Sequence, residues 1–230
     1  MTLTLPAMTA LSFPFRKFAF FFLAASLAHA TDVADVHAVA QAVDRHYNRL
    51  RTLQSEFVET YRGNGMERVE SGTLWLKKPG KMRWEYRSPK EKLFLSDGQN
   101  AWFYVPGDRQ ARKTPVRKLD DLRSPLGFLL GKAKLEKELQ GLSRAPDLTP
   151  INPGDIVLRG VPKALANRVN FVVLEITSEN WIRRIVIEEM DGSSTEFLFQ
   201  NLKENVEIAE QRFRFSPPAG VETVQEDLGQ

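Results

Sequence analysis

Residues Ser71 to Pro106 read Ser-Gly-Thr-Leu-Trp-Leu-Lys-Lys-Pro-Gly-Lys-Met-Arg-Trp-Glu-Tyr-Arg-Ser-Pro-Lys-Glu-Lys-Leu-Phe-Leu-Ser-Asp-Gly-Gln-Asn-Ala-Trp-Phe-Tyr-Val-Pro. Four runs rich in aromatic and branched side chains are separated by Pro-Gly, Ser-Pro and Asp-Gly, which is the pattern of a β-meander. Strand side chains alternate between faces. Met82, Trp84 and Tyr86 therefore share one face, and Arg83, Glu85 and Arg87 the other. One side of this sheet is wide and apolar, and its back is charged and expected to be wet. Three of the four Trp in the chain lie in this stretch. What the apolar side covers is the functional question.

Working outward, Asp32 to Leu53 has the three-and-four spacing of an amphipathic helix. Val36, Val39, Ala40, Val43, Tyr47 and Leu50 form its stripe, and Asp32 or Asp35 is placed to cap it. Gln54 to Arg62 alternates around Phe57 and ends at Gly63-Asn64-Gly65. Downstream of the meander, Gly107 to Arg123 is polar and basic and reads as a loop with a strand at its start. Ser124-Pro125 opens a short apolar helix through Leu126, Phe128, Leu129 and Leu130. A second helix is expected over Ala133 to Leu139. Strands are expected over Asp155–Arg159, Phe171–Thr177, Trp181–Met190 and Thr195–Leu202, with a turn at Asp191-Gly192. A last strand is expected near Phe213, and the tail from Glu222 reads as loosely held. Many strands and few helices predict a mainly β, strongly curved antiparallel sheet, closed or nearly closed as a barrel.

The amino terminus sets the compartment. Arg16-Lys17, the apolar run from Phe18 and Ala28-His29-Ala30 have the form of a secretory signal peptide over 1–30. The expected mature chain, 31–230, is a single exported domain. The formal net charge is +3. Removing Arg16 and Lys17 leaves 30 basic residues (32 less two) against 29 acidic, which excludes the basic excess of a nucleic-acid binder. There is no Cys, so disulfides, thiolate metal sites and cysteine nucleophiles are excluded.

Catalytic constellations are also missing from the sequence. Of three His, His29 leaves with the signal peptide. His37 and His46 are nine positions apart on one helix and point to opposite sides. No nucleophile elbow, phosphate loop or zincin motif is present. No enzyme, metal or cofactor is expected. A packed core and a lipid pocket look alike in sequence. Bulky residues on adjacent strands and helices available to cover one concave sheet favour a greasy guest.

Several pieces together resemble the periplasmic outer-membrane lipoprotein carrier family, LolA-like. They are the early helix running into Leu53-Gln-Ser-Glu-Phe57, Gly72-Thr-Leu-Trp-Leu-Lys-Lys-Pro79, Met82-Arg-Trp84, Ser88-Pro89, Ser96-Asp97-Gly98, Trp102-Phe-Tyr104 and Phe213-Arg-Phe-Ser-Pro-Pro-Ala-Gly-Val221. They occur in the family's order across nearly all of the mature chain. The resemblance implies an unclosed, strongly curved antiparallel β-barrel capped by an α-helical lid, enclosing a cavity for the acyl chains of lipoproteins or related lipids. It also implies a cycle of receipt from an inner-membrane ABC-type release complex and delivery to an outer-membrane acceptor lipoprotein, by a monomer. The family's Arg before Pro, which latches the lid, is Lys78 here, a point charge without the planar fork.

On this basis Phe57, Leu74, Leu76, Met82, Trp84, Tyr86, Phe94 and Trp102 are expected to line the cavity, with Val39, Val43, Tyr47, Leu126, Phe128 and Leu129 covering it. The alternatives are a periplasmic lipid-sensing module of the same fold, a carrier of another membrane lipid, and an exported hydrolase whose site is not visible. The acceptor of related fold carries its lipid on a Cys, which this chain lacks.

Overall fold

The computed structural model describes residues 35–116 and 134–225. Its longest feature is the hairpin of β1 (Thr52–Gly63) and β2 (Met66–Lys77), paired without a break from Thr52↔Lys77 to Gly63↔Met66. Asn64 and Gly65 close it with φ of 52° and 73°. These are the two left-handed residues of a type I′ turn, whose twist matches that of the strands it joins.

From β2 the chain meanders through β3 (Lys81–Ser88), β4 (Lys92–Asp97), β5 (Asn100–Tyr104) and β6 (Gln110–Pro115). A second meander runs β7 (Leu139–Arg144), β8 (Ile156–Pro162), β9 (Val169–Ile176), β10 (Ile182–Glu189) and β11 (Ser194–Glu204), and β11 pairs antiparallel with β1. A short β12 (Glu222–Gln225) adds in parallel to β6. The result is one curved 12-stranded sheet in the order β12-β6-β5-β4-β3-β2-β1-β11-β10-β9-β8-β7. Among the described residues β12 and β7 do not pair, so the barrel is unclosed.

Helix α1 (Val36–Arg49) lies on the inner face of this sheet, with Val39, Ala40, Val43 and Tyr47 buried. It begins where Asp35 accepts the backbone N–H of His37 at 3.1 Å, a side-chain cap for one orphan donor. It stops at Leu50, earlier than the expected Leu53, because Thr52 is already paired with Lys77 and its carbonyl accepts the Asn205 N–H. The second helix, α2 (Leu135–Glu138), is a single turn, and its expected end at Leu139 is the start of strand β7.

The strand expected at the start of the Gly107–Arg123 stretch is β6, held by β5. Three other expectations change. Asp191-Gly192 is not a two-residue primed turn. Only Gly192 is left-handed (φ 82°), and its N–H donates to the Glu189 carbonyl. Phe213 closes a 3-10 turn, Glu210–Phe213, rather than sitting in a strand. The tail is not loose at Glu222, where β12 extends the sheet.

The last change alters the back of the sheet. Residues 206–215 cross the outer face, where Ile208 and Phe213 pack on Trp75. Phe215 meets Trp102 and Tyr104, and Arg212 lies 4.4 Å over the Trp75 ring. Arg83 and Glu85 pair at 2.8 Å on this face, as expected of a polar back. It is nonetheless a covered surface along the C-terminal segment, not a wet one. Ala145, Val157 and Val173 form a second outer cluster under the 145–155 loop, whose Ile151 N–H is held by buried Glu175.

The inner face and its helical cover

Strand register decides which side chains meet on the inside. Leu74, Trp84, Phe94, Phe103 and Arg112 are successive partners across β2 to β6 and form one row. Phe57, Gly72, Tyr86 and Lys92 form the next row, and Leu76 and Met82 begin the row on the other side. Leu74, Leu76, Met82, Trp84 and Phe57 are buried in the inner cluster, with Tyr86 and Phe94 packed against it.

The rings touch edge to face: Phe57 to Trp84 at 4.7 Å, Phe57 to Tyr86 at 4.9 Å and Trp84 to Phe197 at 5.6 Å. Such geometry adds to plain area burial. Phe57 is 1% exposed and Trp84 3%. Under α1 the inner rings are shut off from solvent, while Tyr86, Phe94 and Phe103 further out are half-buried.

Trp102 is a correction. Phe94 pairs with Phe103, so Phe103 takes the inward position and Trp102 stands on the outer face, partnered by Leu95 and packed against Phe215. Leu126, Phe128 and Leu129 lie outside the described residues. Val39, Val43 and Tyr47 come from α1 onto the inner cluster.

The second half of the sheet supplies as much of the interior as the first. Leu158, Val172, Leu174, Ile176, Ile182, Ile185, Phe197 and Phe199 belong to the same cluster, and none of them was among the expected liners. Alternation in Glu196-Phe197-Leu198-Phe199 was the available signal. That both meanders face one interior follows only from the pairing of β1 with β11.

Polar contacts tie the helix down at both ends. Lys78 Nζ donates to the carbonyls of Tyr47 at 2.6 Å and Asn48 at 3.1 Å. These are last-turn carbonyls at the negative end of the helix dipole, and that of Tyr47 also accepts the Leu50 N–H at 3.3 Å. Burial holds the Lys78 ammonium below its ordinary value.

Tyr47 Oη accepts the Ile182 N–H at 3.1 Å, and burial raises its hydroxyl pKa, keeping it protonated. Further along the helix Asp44 accepts the Leu135 N–H at 3.0 Å, and at its N-terminal end His37 Nδ1 lies 2.8 Å from Glu136. His46 sits edge-on to Trp181 at 4.3 Å, with Nε2 3.4 Å from Glu204. The two His point to different neighbours and share no site, and no cluster of potential metal ligands is found among the described residues.

Beyond the aromatic rows the inner face turns polar. Tyr86 Oη donates to Glu59 at 2.6 Å, and Lys92 pairs with buried Glu70 at 2.6 Å while lying 4.2 Å over the Tyr86 ring. Burial first, then the Glu59 carboxylate, raises the Tyr86 hydroxyl, which stays a donor. The arrangement is an apolar sheet face with a charged margin and a helix over it, which suits an amphiphile.

The sequence model of the family described as outer membrane lipoprotein carrier protein LolA matches residues 48–216, more than half of the chain. The chain belongs to this family. The matched span takes in β1 to β6 and the C-terminal segment on the outer face. An outer-membrane lipoprotein carrier protein of Nitrosospira multiformis is 31% identical over 221 residues, 94% of this chain and 99% of the relative. One from Pseudomonas aeruginosa is 31% identical over 209 residues, 89% of this chain and 94% of the relative. Among solved structures, an uncharacterized conserved protein from Thermus thermophilus superposes with a TM-score of 0.54 at 12% identity, over 83% of this chain and 98% of that one. It shares the fold of this LolA-family chain.

Proposed function

We propose that this LolA-family protein carries the acyl chains of lipoproteins across the periplasm, from the inner to the outer membrane. The observation that carries the reading is the single apolar inner face, built from both meanders and roofed by an amphipathic helix held through a few polar contacts. Phe57, Leu74, Leu76, Met82, Trp84, Tyr86 and Phe94 line it in this reading, and Val39, Val43 and Tyr47 cover it. Lys78 latches the cover.

Residues 1–30 act as a cleaved export signal and 31–230 as the carrier domain. The protein binds without catalysing. It receives cargo from an ABC-type release complex and passes it to an acceptor lipoprotein, each step running downhill in affinity.

Native mass spectrometry with a triacylated lipopeptide tests the reading. Wild type is expected to form a one-to-one complex. Phe94→Glu, at a half-buried inner position, is expected to lose the complex and keep its circular dichroism spectrum. No complex with wild type overturns the proposal, as does full binding by Phe94→Glu.

A further inference from the structure

Next to the aromatic row Trp84–Phe94–Phe103 runs a row of a different kind. Met82 pairs with Ser96, Ser96 with Ala101 and Ala101 with Thr114, so the inner face steps down from rings to small side chains over β4, β5 and β6. Two residues along a strand is about 6.6 Å and three strands span about 10 Å, so a row of small, buried side chains lies beside a bulky wall.

Its polar atoms are not equivalent. Ser96 Oγ donates to the Gly80 carbonyl at 2.9 Å and accepts the Gly98 N–H at 3.3 Å. Thr114 is 4% exposed, and among the described residues its Oγ1 is buried with no hydrogen-bond partner. A buried hydroxyl without a partner destabilises the guest-free fold, and Val has the same shape without that cost. The hydroxyl is useful once something brings it an acceptor.

We propose that Thr114 donates its hydroxyl to the ester carbonyl at the head of a bound acyl chain, so that the row Ser96–Ala101–Thr114 seats the ester end while the chain lies along Trp84, Phe94 and Phe103. This rests on the acyl-carrier reading and adds a polarity to it. The head lies toward the Pro115 end of β6 and the tail runs across the sheet. Ester carbonyls are acceptors only, which matches a site offering one donor and small neighbours.

The test compares a dipalmitoyl-glyceryl cysteinyl peptide with its di-O-hexadecyl ether analogue, which has the same chains and no ester carbonyl. Dissociation constants are measured for wild type, Thr114→Val and Thr114→Ser. Wild type is expected to favour the ester on the order of fivefold, the worth of one hydrogen bond. Thr114→Ser keeps the preference and Thr114→Val abolishes it, while the guest-free Thr114→Val melts no lower than wild type. Should Thr114→Val fail to fold, Thr114→Ala carries the same comparison. An ester preference that survives in the Val or Ala variant overturns the role of Thr114, as does a wild type that binds both peptides equally. A wild type that binds neither peptide overturns the carrier reading itself.

Discussion

Lys78 shows how much one side chain does for the cover. Its ammonium serves two carbonyls of the last turn of α1, where a cation is favoured by exposed acceptor lone pairs and by the dipole. Lys78→Met keeps the stem and removes both bonds. It is expected to lower stability in urea unfolding by about 1–2 kcal/mol. Lys78→Arg, with its fork, is expected to match or exceed wild type; a loss as large as that of Lys78→Met would show that the bonds to the carbonyls do not matter.

The two helix histidines titrate with opposite sign. Burial holds His46 below its ordinary 6.5, against the pull of Glu204 and with the help of Arg49. The unfolded chain therefore takes this proton first, and stability is lost as pH falls below 6.5 toward the folded value. His37 is raised by its bond to Glu136 and by that carboxylate's charge. Its contribution is full below 6.5 and is lost as pH rises through the folded value. Urea titrations at pH 5, 6.5 and 8 are expected to show a smaller acid loss in His46→Phe and a larger one in His37→Gln. Identical pH profiles for the two variants would contradict this assignment.

At the scale of elements, the C-terminal segment is the part that carries the outer face. Glu210 is clasped by Lys77 at 2.7 Å and by Lys81, and these bonds bring its carboxyl down to about 2. A depressed carboxylate stabilises above its unfolded value of 4.5 and ceases to as pH falls through the folded one. Loss of this exposed clasp between pH 4.5 and 2 is expected to loosen the segment only slightly, read as a small shift in Trp75 emission, because Phe213, 1% exposed, still holds it to the sheet. Phe213→Ala empties the same pocket and is expected to cost about 3–4 kcal/mol. A thermal midpoint unchanged in that variant would show that the segment is not part of the cooperative fold.

The elements that could be read from sequence were those with a strong local period. Helix α1, with its three-and-four stripe, and the meander, with Met82-Arg83-Trp84-Glu85-Tyr86, are of this kind. Trp102-Phe103-Tyr104 has no polar residue between its rings, so alternation is silent about which one turns inward. The long-range pair Phe94↔Phe103 decides it. β12 is four residues long with no apolar face, and it exists only because β6 offers an edge. The inward role of Phe197 and Phe199 likewise needed β1 beside β11.

At the scale of the whole molecule, the helix-covered interior bears on how a carrier can release what it holds. A permanently empty greasy hollow would be costly to keep and reluctant to let go. Here α1 covers the inner rings with Val39, Ala40, Val43 and Tyr47, a contact worth roughly 5–8 kcal/mol in buried apolar surface. Two acyl chains of about 15 methylenes each bring over 20 kcal/mol relative to water at ~0.8 kcal/mol per methylene, enough to displace that helix. Relative to a bilayer, where the chains are already out of water, the gain is near zero, and the cost of opening α1 then favours handover. On the proposed function, helix and guest therefore compete for one surface. Hydrogen exchange should report this directly. Addition of a lipopeptide is expected to speed exchange of the α1 amides from Val39 to Arg49, while β1, β2 and β9 to β11 stay as protected as before. Slower exchange in α1 with bound lipid would mean that the helix clamps the guest instead of giving way to it, and the release mechanism argued from competition would fall.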